Sequence, residues 1–390
     1  MQPKVLAVAA GVAVATVYFA QPLLVTMGTD LGIAPGTVGV FVTVTQVGYG
    51  LGLFFLVPLG DLLDRRRLIR IQFTLLAVAL LITGIARNAA MLLAGLAAVG
   101  TLAVVTQSLV AYGAALSEPT RRGRTVGTIT SGIVIGILMA RTASGVLTDL
   151  LGWRAVYLIA CAASLAITMF FVRSAPQPRL QLTYGELLRS TVDLWRERLF
   201  RESAIRAFFI FASFSTLWSS IALPLSERSL SHTEIGAFGL IGAAGALAAG
   251  PAGRLADRGH GRLVTTAASV LLATSWLVTV WTPRSLVALA IGTILLDLAV
   301  QAVHVTNQSM IYRPDSGSRL VGGYMVFYSL GSAVGAIAST ALYERAGWNA
   351  VCLLGAAFGL GSVLTTISRG PRGSCRRSSR RSRCLPARQP

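Results

Sequence analysis

Polar residues are sparse along this chain and recur at regular distances, leaving apolar runs of about 20 residues, the length that crosses roughly 30 Å of hydrocarbon as a helix. The runs cover residues 5–26, 36–59, 68–86, 89–116, 125–148 and 153–172, and then 204–225, 235–255, 263–281, 286–311, 320–343 and 348–367. They predict an all-α polytopic membrane protein with twelve transmembrane helices, six in each half.

The two halves repeat. Gly60-Asp61-Leu62-Leu63-Asp64-Arg65 and Gly253-Arg254-Leu255-Ala256-Asp257-Arg258 are copies of one Gly-x-Leu-x-Asp-Arg motif, each following an apolar run. At offsets of 193 to 195, Gly60, Asp64 and Arg65 align with Gly253, Asp257 and Arg258, and Arg124, Val126, Gly127 and Gly136 align with Arg319, Val321, Gly322 and Gly331. Gly152-Trp153-Arg154-Ala155-Val156 likewise matches Gly347-Trp348-Asn349-Ala350-Val351. Parallel half-repeats of this kind predict two pseudo-symmetric six-helix bundles. The boundaries read as a bundle over 1–173, a linker over 174–203, a bundle over 204–367 and a tail over 368–390.

Composition and charge fix the environment. With 54% hydrophobic and 13% charged residues, the chain is made to meet lipid. Its net charge of +19 could suggest nucleic acid, but the positions of the charges argue otherwise. Loops on the N-terminal side carry 28 Lys and Arg, against five on the other side: Arg87, Arg154, Arg228, Arg284 and Arg345. The positive-inside rule then places both termini in the cytoplasm and makes the basic excess a topology signal, with no nucleic-acid partner. The first run is too long for a cleaved leader and reads as an anchor.

Between the halves, Leu188, Val192, Trp195 and Leu199 recur at helical spacing among arginines, predicting an amphipathic helix on the anionic inner leaflet. The tail is rich in Arg, Ser, Gly and Pro and reads as disordered. Cys161 and Cys352 fall inside predicted helices, and Cys375 and Cys384 in the tail lack metal-ligand spacing. Without a phosphate-binding Gly-rich loop, ATP hydrolysis has no seat; neither a cofactor nor an enzymatic activity is expected.

The paired Gly-x-Leu-x-Asp-Arg loops, the six-plus-six repeat and the central linker resemble the major facilitator superfamily, specifically its bacterial twelve-helix drug-efflux-type branch. Gly136-x-x-x-Ala140-Arg141-x-x-Ser144-Gly145 is similar to the Gly-x-x-x-Gly-Pro-x-x-Gly-Gly signature of its proton-coupled antiporters. The segment Val303-His304-Val305-Thr306-Asn307-Gln308-Ser309 resembles a little-characterised bacterial subgroup of that branch. The resemblance spans residues 6–366 or so. It departs at Arg67, where the family has Gly, and at Arg141, where the signature has Pro. It implies a major facilitator fold, transport by alternating access, and a substrate path lined by helices 1, 4, 7 and 10. On that placement Tyr18, Gln21, Gln46, Tyr49, Gln107, Trp218, Gln301 and Gln308 are candidate cavity residues.

The residues themselves suggest the coupling chemistry. Asp297 is the one acid in the middle of a predicted span. On helix 10, Thr293, Asp297, Gln301, His304 and Gln308 fall within a narrow arc at about 100° per residue. A mid-bilayer carboxylate costs roughly 2.5 to 3.5 kcal/mol, so it must face a cavity or a partner, or be protonated. Arg141 reads as the one basic residue deep in a span. At 1.5 Å rise per residue, Arg141 lies roughly 10 Å and Asp297 roughly 17 Å from the same surface, near enough to pair through their side chains. Proton coupling is accordingly assigned to Asp297, His304 and Arg141, with a structural ion pair as the competing reading.

Gating falls to the repeated motif, Gly60, Asp64, Arg65 and Gly253, Asp257, Arg258. The glycines are expected to let helices approach closely, and the charges to cap or pair with helix ends at the membrane surface. Small residues at Gly132, Gly136, Ala140 and Ser144, and at Gly242, Ala246, Ala249 and Gly253, predict flat faces for close helix packing, and the resemblance implies that helices 5 and 8 meet on them. The function expected is proton-coupled efflux of a small organic molecule by a monomer. Export of a sugar, nucleoside or anionic metabolite, and a transport-inactive relic or membrane sensor, are the alternatives.

Overall fold

The computed structural model describes residues 2–118, 121–171, 183–311 and 317–367. The tail from 368, with Cys375 and Cys384, and the first part of the linker lie outside the described residues. Within them the chain is helical and contains no strand.

In chain order the first six spans are Pro3–Ala15 continued by Leu24–Asp30, then Val40–Phe55, Arg65–Gly84, Ala89–Ala103 continued by Val105–Leu116, Arg122–Leu151, and Trp153–Met169. The second six are Arg198–Ser220, His232–Ile241 continued by Ala243–Leu255, Gly261–Thr279, Leu286–Ile311, and two helices within Gly317–Ile367. These are helices 1 to 12. Helices 11 and 12 are separated at Gly347, which has a φ of +70°, and helices 5 and 6 meet at Gly152, with a φ of +83°. Both sites require the left-handed region that glycine enters without a Cβ clash, and they are equivalent positions of the repeat.

The outer surface is unlike that of a water-soluble protein, while the interior mixes an apolar core with buried hydroxyls. Leu247, Leu353, Leu150 and Met169 are more than 70% exposed, the side-chain pattern of a lipid-facing surface, whereas Ser203, Ser213, Ser215, Thr216, Ser219 and Ser220 of helix 7 are buried. Buried hydroxyls satisfy backbone carbonyls one turn away, as Thr216 does with Ala212 and Ser220 with Thr216.

The repeat is visible in the packing. A Cβ on Gly136 would come within 2.3 Å of the Gly11 carbonyl oxygen, and one on Gly331 within 2.1 Å of that of Phe208. Each glycine thus presses helix 5 or 11 onto the first helix of its own half. The sequence stripe at Gly132 and Gly136 therefore serves contact with helix 1, not with helix 8. This corrects the expectation drawn from the resemblance for these two positions.

The linker forms a helix over Tyr184–Asp193, opened by a Thr183/Glu186 capping box, then one tight turn; helix 7 already begins at Arg198, so Leu199 belongs to it. The hydrogen bonds from Thr183 to the Glu186 carboxylate hold that acid below the usual range. Tyr184 donates to the Phe55 carbonyl at 2.8 Å, and Trp195 stacks on Phe327. The linker therefore touches helix 2 and helix 11, one from each half.

Candidate functional site

Helix 1 breaks where Pro22 removes a backbone donor: residues 16–20 form turns and Gln21–Leu23 a single 3₁₀ turn. The break turns Tyr18 and Gln21 toward Arg141 of helix 5. Arg141 is 3% exposed; its Nε donates to Gln21 Oε1 at 2.7 Å. Its guanidinium carbon lies 3.9 Å from the centre of the Trp218 ring, 5.2 Å from Tyr18 and 5.7 Å from Phe214. Three aromatic faces thus surround one buried cation, an arrangement worth about 2 kcal/mol or more when desolvated. Arg141 Nη2 is buried with no hydrogen-bond partner.

Trp218 is the bridge to helix 10. Its Nε1–H donates to Asp297 Oδ1 at 3.2 Å, while its face carries Arg141. Among the described residues no ion pair within 4.0 Å joins Arg141 to Asp297. In place of the direct pairing expected from their depths, one indole of helix 7 engages both, Arg141 on its face and Asp297 at its Nε1 edge.

Helix 8 supplies the floor. Its glycines at 236, 239, 242 and 245 recur every third residue: a Cβ on Gly239 would fall 2.8 Å from Arg141 Cβ, and one on Gly242 only 2.5 Å from Asp297 Oδ2. Gly236 and Gly239 of this strip receive helix 5 at Arg141, and Gly242 and Gly245 receive helix 10 at Asp297. Of the predicted stripe on helix 8 only Gly242 belongs to it; Ala246 is exposed.

The other stripe residues of helix 10 lead away from the centre. Thr293 is buried, and Gln301, His304 and Gln308 are half-buried. His304 Nδ1 sits 3.1 Å from Tyr324 Oη, with the Phe211 ring edge-on at 5.1 Å. Near them lies a residue that the sequence reading assigned to the loop side: Arg206 of helix 7, 1% exposed, which donates to Asn307 Oδ1 at 2.6 Å and to Thr365 Oγ1 at 3.2 Å. Among the described residues Arg141 is thus one of two buried arginines. Spacing from the helix start concealed the second, because a residue nine positions into a helix was counted with the preceding charges.

The remaining cavity candidates lie on the first half. Tyr18 and Tyr328 share a hydroxyl hydrogen bond across the two halves. Tyr49 is buried beside Gln107. Gln46 is buried, with Oε1 unpartnered. Gln107 also lines a small crevice with Gly60, Asp61 and Arg65.

The motif loops hold helix ends within each half. Asp64 caps helix 3 by accepting from the Arg67 amide at 2.7 Å. Arg65 binds Asp61 at 2.9 Å, the Gly60 carbonyl at 2.8 Å and the Ala111 carbonyl. Asp61, absent from the expected set, is therefore the acid that Arg65 uses. A Cβ on Gly60 or Gly253 would meet nothing closer than 3.7 Å, so close approach is not what places glycine there. Asp257 accepts from Ser309 Oγ at 3.4 Å, and Arg258 is exposed.

Contacts that join the halves cluster at the end of the molecule opposite the N-terminus, here termed distal. Asp149, at the end of helix 5, accepts from the backbone amides of His232 and Thr233 and from Thr233 Oγ1. Its Oδ1 lies 2.6 Å from His232 Nδ1, and His232 Nε2 contacts Thr26 Oγ1. Glu344, the residue that the repeat offset of helices 5 and 11 pairs with Asp149, lies against Gly36 at the start of helix 2. One turn earlier on helix 11, Thr340 Oγ1 accepts from the Gly39 amide and donates to the Gly36 carbonyl, each at 3.2 Å. From the centre toward the N-terminal side, Ala243–Leu255 packs on helix 10, while the distal piece His232–Ile241 packs on helix 5. The distal side is sealed, and helices 5 and 8 part below Arg141.

Known proteins share this architecture. The family model of the Major Facilitator Superfamily matches residues 6–225 and 203–383. The chain is 43% identical over 367 residues to the uncharacterized transporter YgaY of Escherichia coli O157:H7, covering 92% of this chain and 93% of that one. The purine ribonucleoside efflux pump NepI of Escherichia coli O127:H6 is 28% identical over 158 residues, 40% of this chain and 39% of the pump. Among solved structures, the human organic anion transporter MFSD10 superposes with a TM-score of 0.69 at 18% identity, covering 94% of this chain and all of that one. The sequence repeat, the paired bundles and the family match converge: this chain belongs to the major facilitator superfamily and is a membrane transporter.

Proposed function

We propose that the protein is a monomeric proton-coupled exporter of a small organic molecule, with the N-terminal and distal faces on the cytoplasmic and outer sides of a bacterial inner membrane. The observation that carries the proton role is Asp297: a buried carboxylate in mid-span, hydrogen-bonded to Trp218, on the boundary between halves that must rock. Alternating access exposes such a group to one side at a time, which is what carriage of a proton requires. His304 is the second titratable group on the same helix and is assigned the relay toward the cytoplasm. Arg141 keeps a fixed positive charge beside the carrier.

The direction rests on likeness to an efflux pump over 158 residues and on the antiporter-like signature of helix 5. The conformer with a sealed distal side is the one that loads from the cytoplasm. Bundles 1–173 and 204–367 move as units about the tether 174–203. The test is flux in proteoliposomes with an imposed pH gradient, across a panel of organic compounds. Concentrative movement abolished by a protonophore supports the reading; movement that only follows the compound's own gradient contradicts it.

A further inference from the structure

We infer that the transported molecules are organic anions, with Arg141 as the residue that selects them. The inference rests on the reading of the protein as a small-molecule carrier and specifies what its centre accepts. Rings around a point are a cation seat, since each presents a negative π-face. Here the seat formed by Tyr18, Phe214 and Trp218 is filled from within by the Arg141 guanidinium. A cationic amphiphile seeking the same faces must displace a group that is permanently charged and covalently tethered beside them. It would also leave that charge buried. Cations are thereby shut out.

An anion meets the opposite situation. Of the guanidinium's donors, Nε is taken by Gln21, while Nη2 is buried and unpartnered. A buried charged donor without an acceptor is destabilising, and a carboxylate or phosphate oxygen is the acceptor that matches the planar fork. Asp297 does not meet this demand: among the described residues no hydrogen bond or ion pair joins it to Arg141, and its Oδ1 accepts from Trp218 Nε1 instead. The fork lies where helices 5 and 8 cross the boundary of the halves, a surface that rocking motion uncovers. Trp218 and Phe214 then offer the apolar body of the ligand a wall beside the charge.

The experiment is equilibrium binding to the full-length protein in nanodiscs, with three probes of one shape: 2-naphthoate, 2-naphthylmethylammonium and 2-naphthylmethanol. At least tenfold tighter binding of the carboxylate than of either other probe is expected. In Arg141→Gln, carboxylate binding falls at least tenfold and the ammonium becomes the preferred probe. The wild-type ranking needs no variant to fold, and an ammonium that binds as tightly as the carboxylate, or a carboxylate that does not bind, overturns the inference. Binding is read without a gradient, so failure of proton coupling leaves this result standing, and a protein that couples protons while preferring the ammonium overturns the inference alone.

Discussion

The carboxylate of Asp149 and the backbone amide of Thr233 belong to different halves of the molecule and meet at 2.8 Å. The same carboxylate takes the His232 amide and the Thr233 hydroxyl, so a single acid satisfies the exposed donors that open helix 8. Glu344 reaches the start of helix 2 from the equivalent position of the other half. The distal closure is thus two-fold in design, one acid from helix 5 and one from helix 11. Each is set against the start of the facing half's second helix.

Removing both acids should loosen that side. At roughly 1 kcal/mol for each anchor lost, Asp149→Ala together with Glu344→Ala shifts the balance toward a distal-open form by on the order of 10-fold or more. Spin labels on Gly32→Cys and Arg228→Cys, in a background without other cysteines, read this as a longer distance component. An unchanged distance distribution would show that the acids do not hold the seal.

Glycine at the contact of helices 1 and 5 should be intolerant of any side chain. A Cβ on Gly132 would sit 2.3 Å from the Ala7 carbonyl oxygen, whereas one on Gly127 has nothing within 4 Å. Gly132→Ala is expected to cost about 1–3 kcal/mol by overpacking, and Gly127→Ala to stay within about 0.5 kcal/mol of wild type. Thermal unfolding in detergent compares them, and equal losses would contradict the packing described.

The fold was legible because lipid imposes a one-dimensional pattern, and the repeat marked at Gly60 and Gly253, with its further aligned blocks, gave the two bundles. The centre was legible in part. Asp297, Arg141, Trp218, Tyr18 and Gln21 were each marked by being polar or aromatic where lipid-facing positions are not, and they converge. Their contacts were not legible: depth along two helices predicts how near Arg141 and Asp297 lie, but not that an indole from a third helix engages both. Asp149 escaped notice because an acid at a helix end looks like any surface acid until the facing helix is seen. The Ser231-x-x-Glu234 capping box marked where helix 8 begins, and the offset pairing Gly152 with Gly347 also pairs Asp149 with Glu344; together these could have exposed the seal.

Orientation follows from the charge bias. Reporters fused after Arg122 and after Arg258 should register as cytoplasmic, and those after Gly32 and Ser285 as periplasmic. Reversed signals would invert the assignment of loading and release faces.

Asp64 separates capping from switching. Asn caps a helix as well as Asp does, so Asp64→Asn should leave helix 3 and the amount of membrane protein intact. A several-fold fall in flux with unchanged melting temperature assigns the charge to the conformational switch. Wild-type flux would reduce Asp64 to the cap seen on Arg67.

The central claim, that Asp297 carries the coupled proton, is tested most directly by Asp297→Asn. The amide oxygen still accepts from Trp218 Nε1, so the packing of the centre is kept while titration is lost. Transport driven by a pH gradient should fall at least tenfold in proteoliposomes, while exchange of labelled for unlabelled substrate at equal pH persists. Retention of pH-driven accumulation in Asp297→Asn would contradict the account.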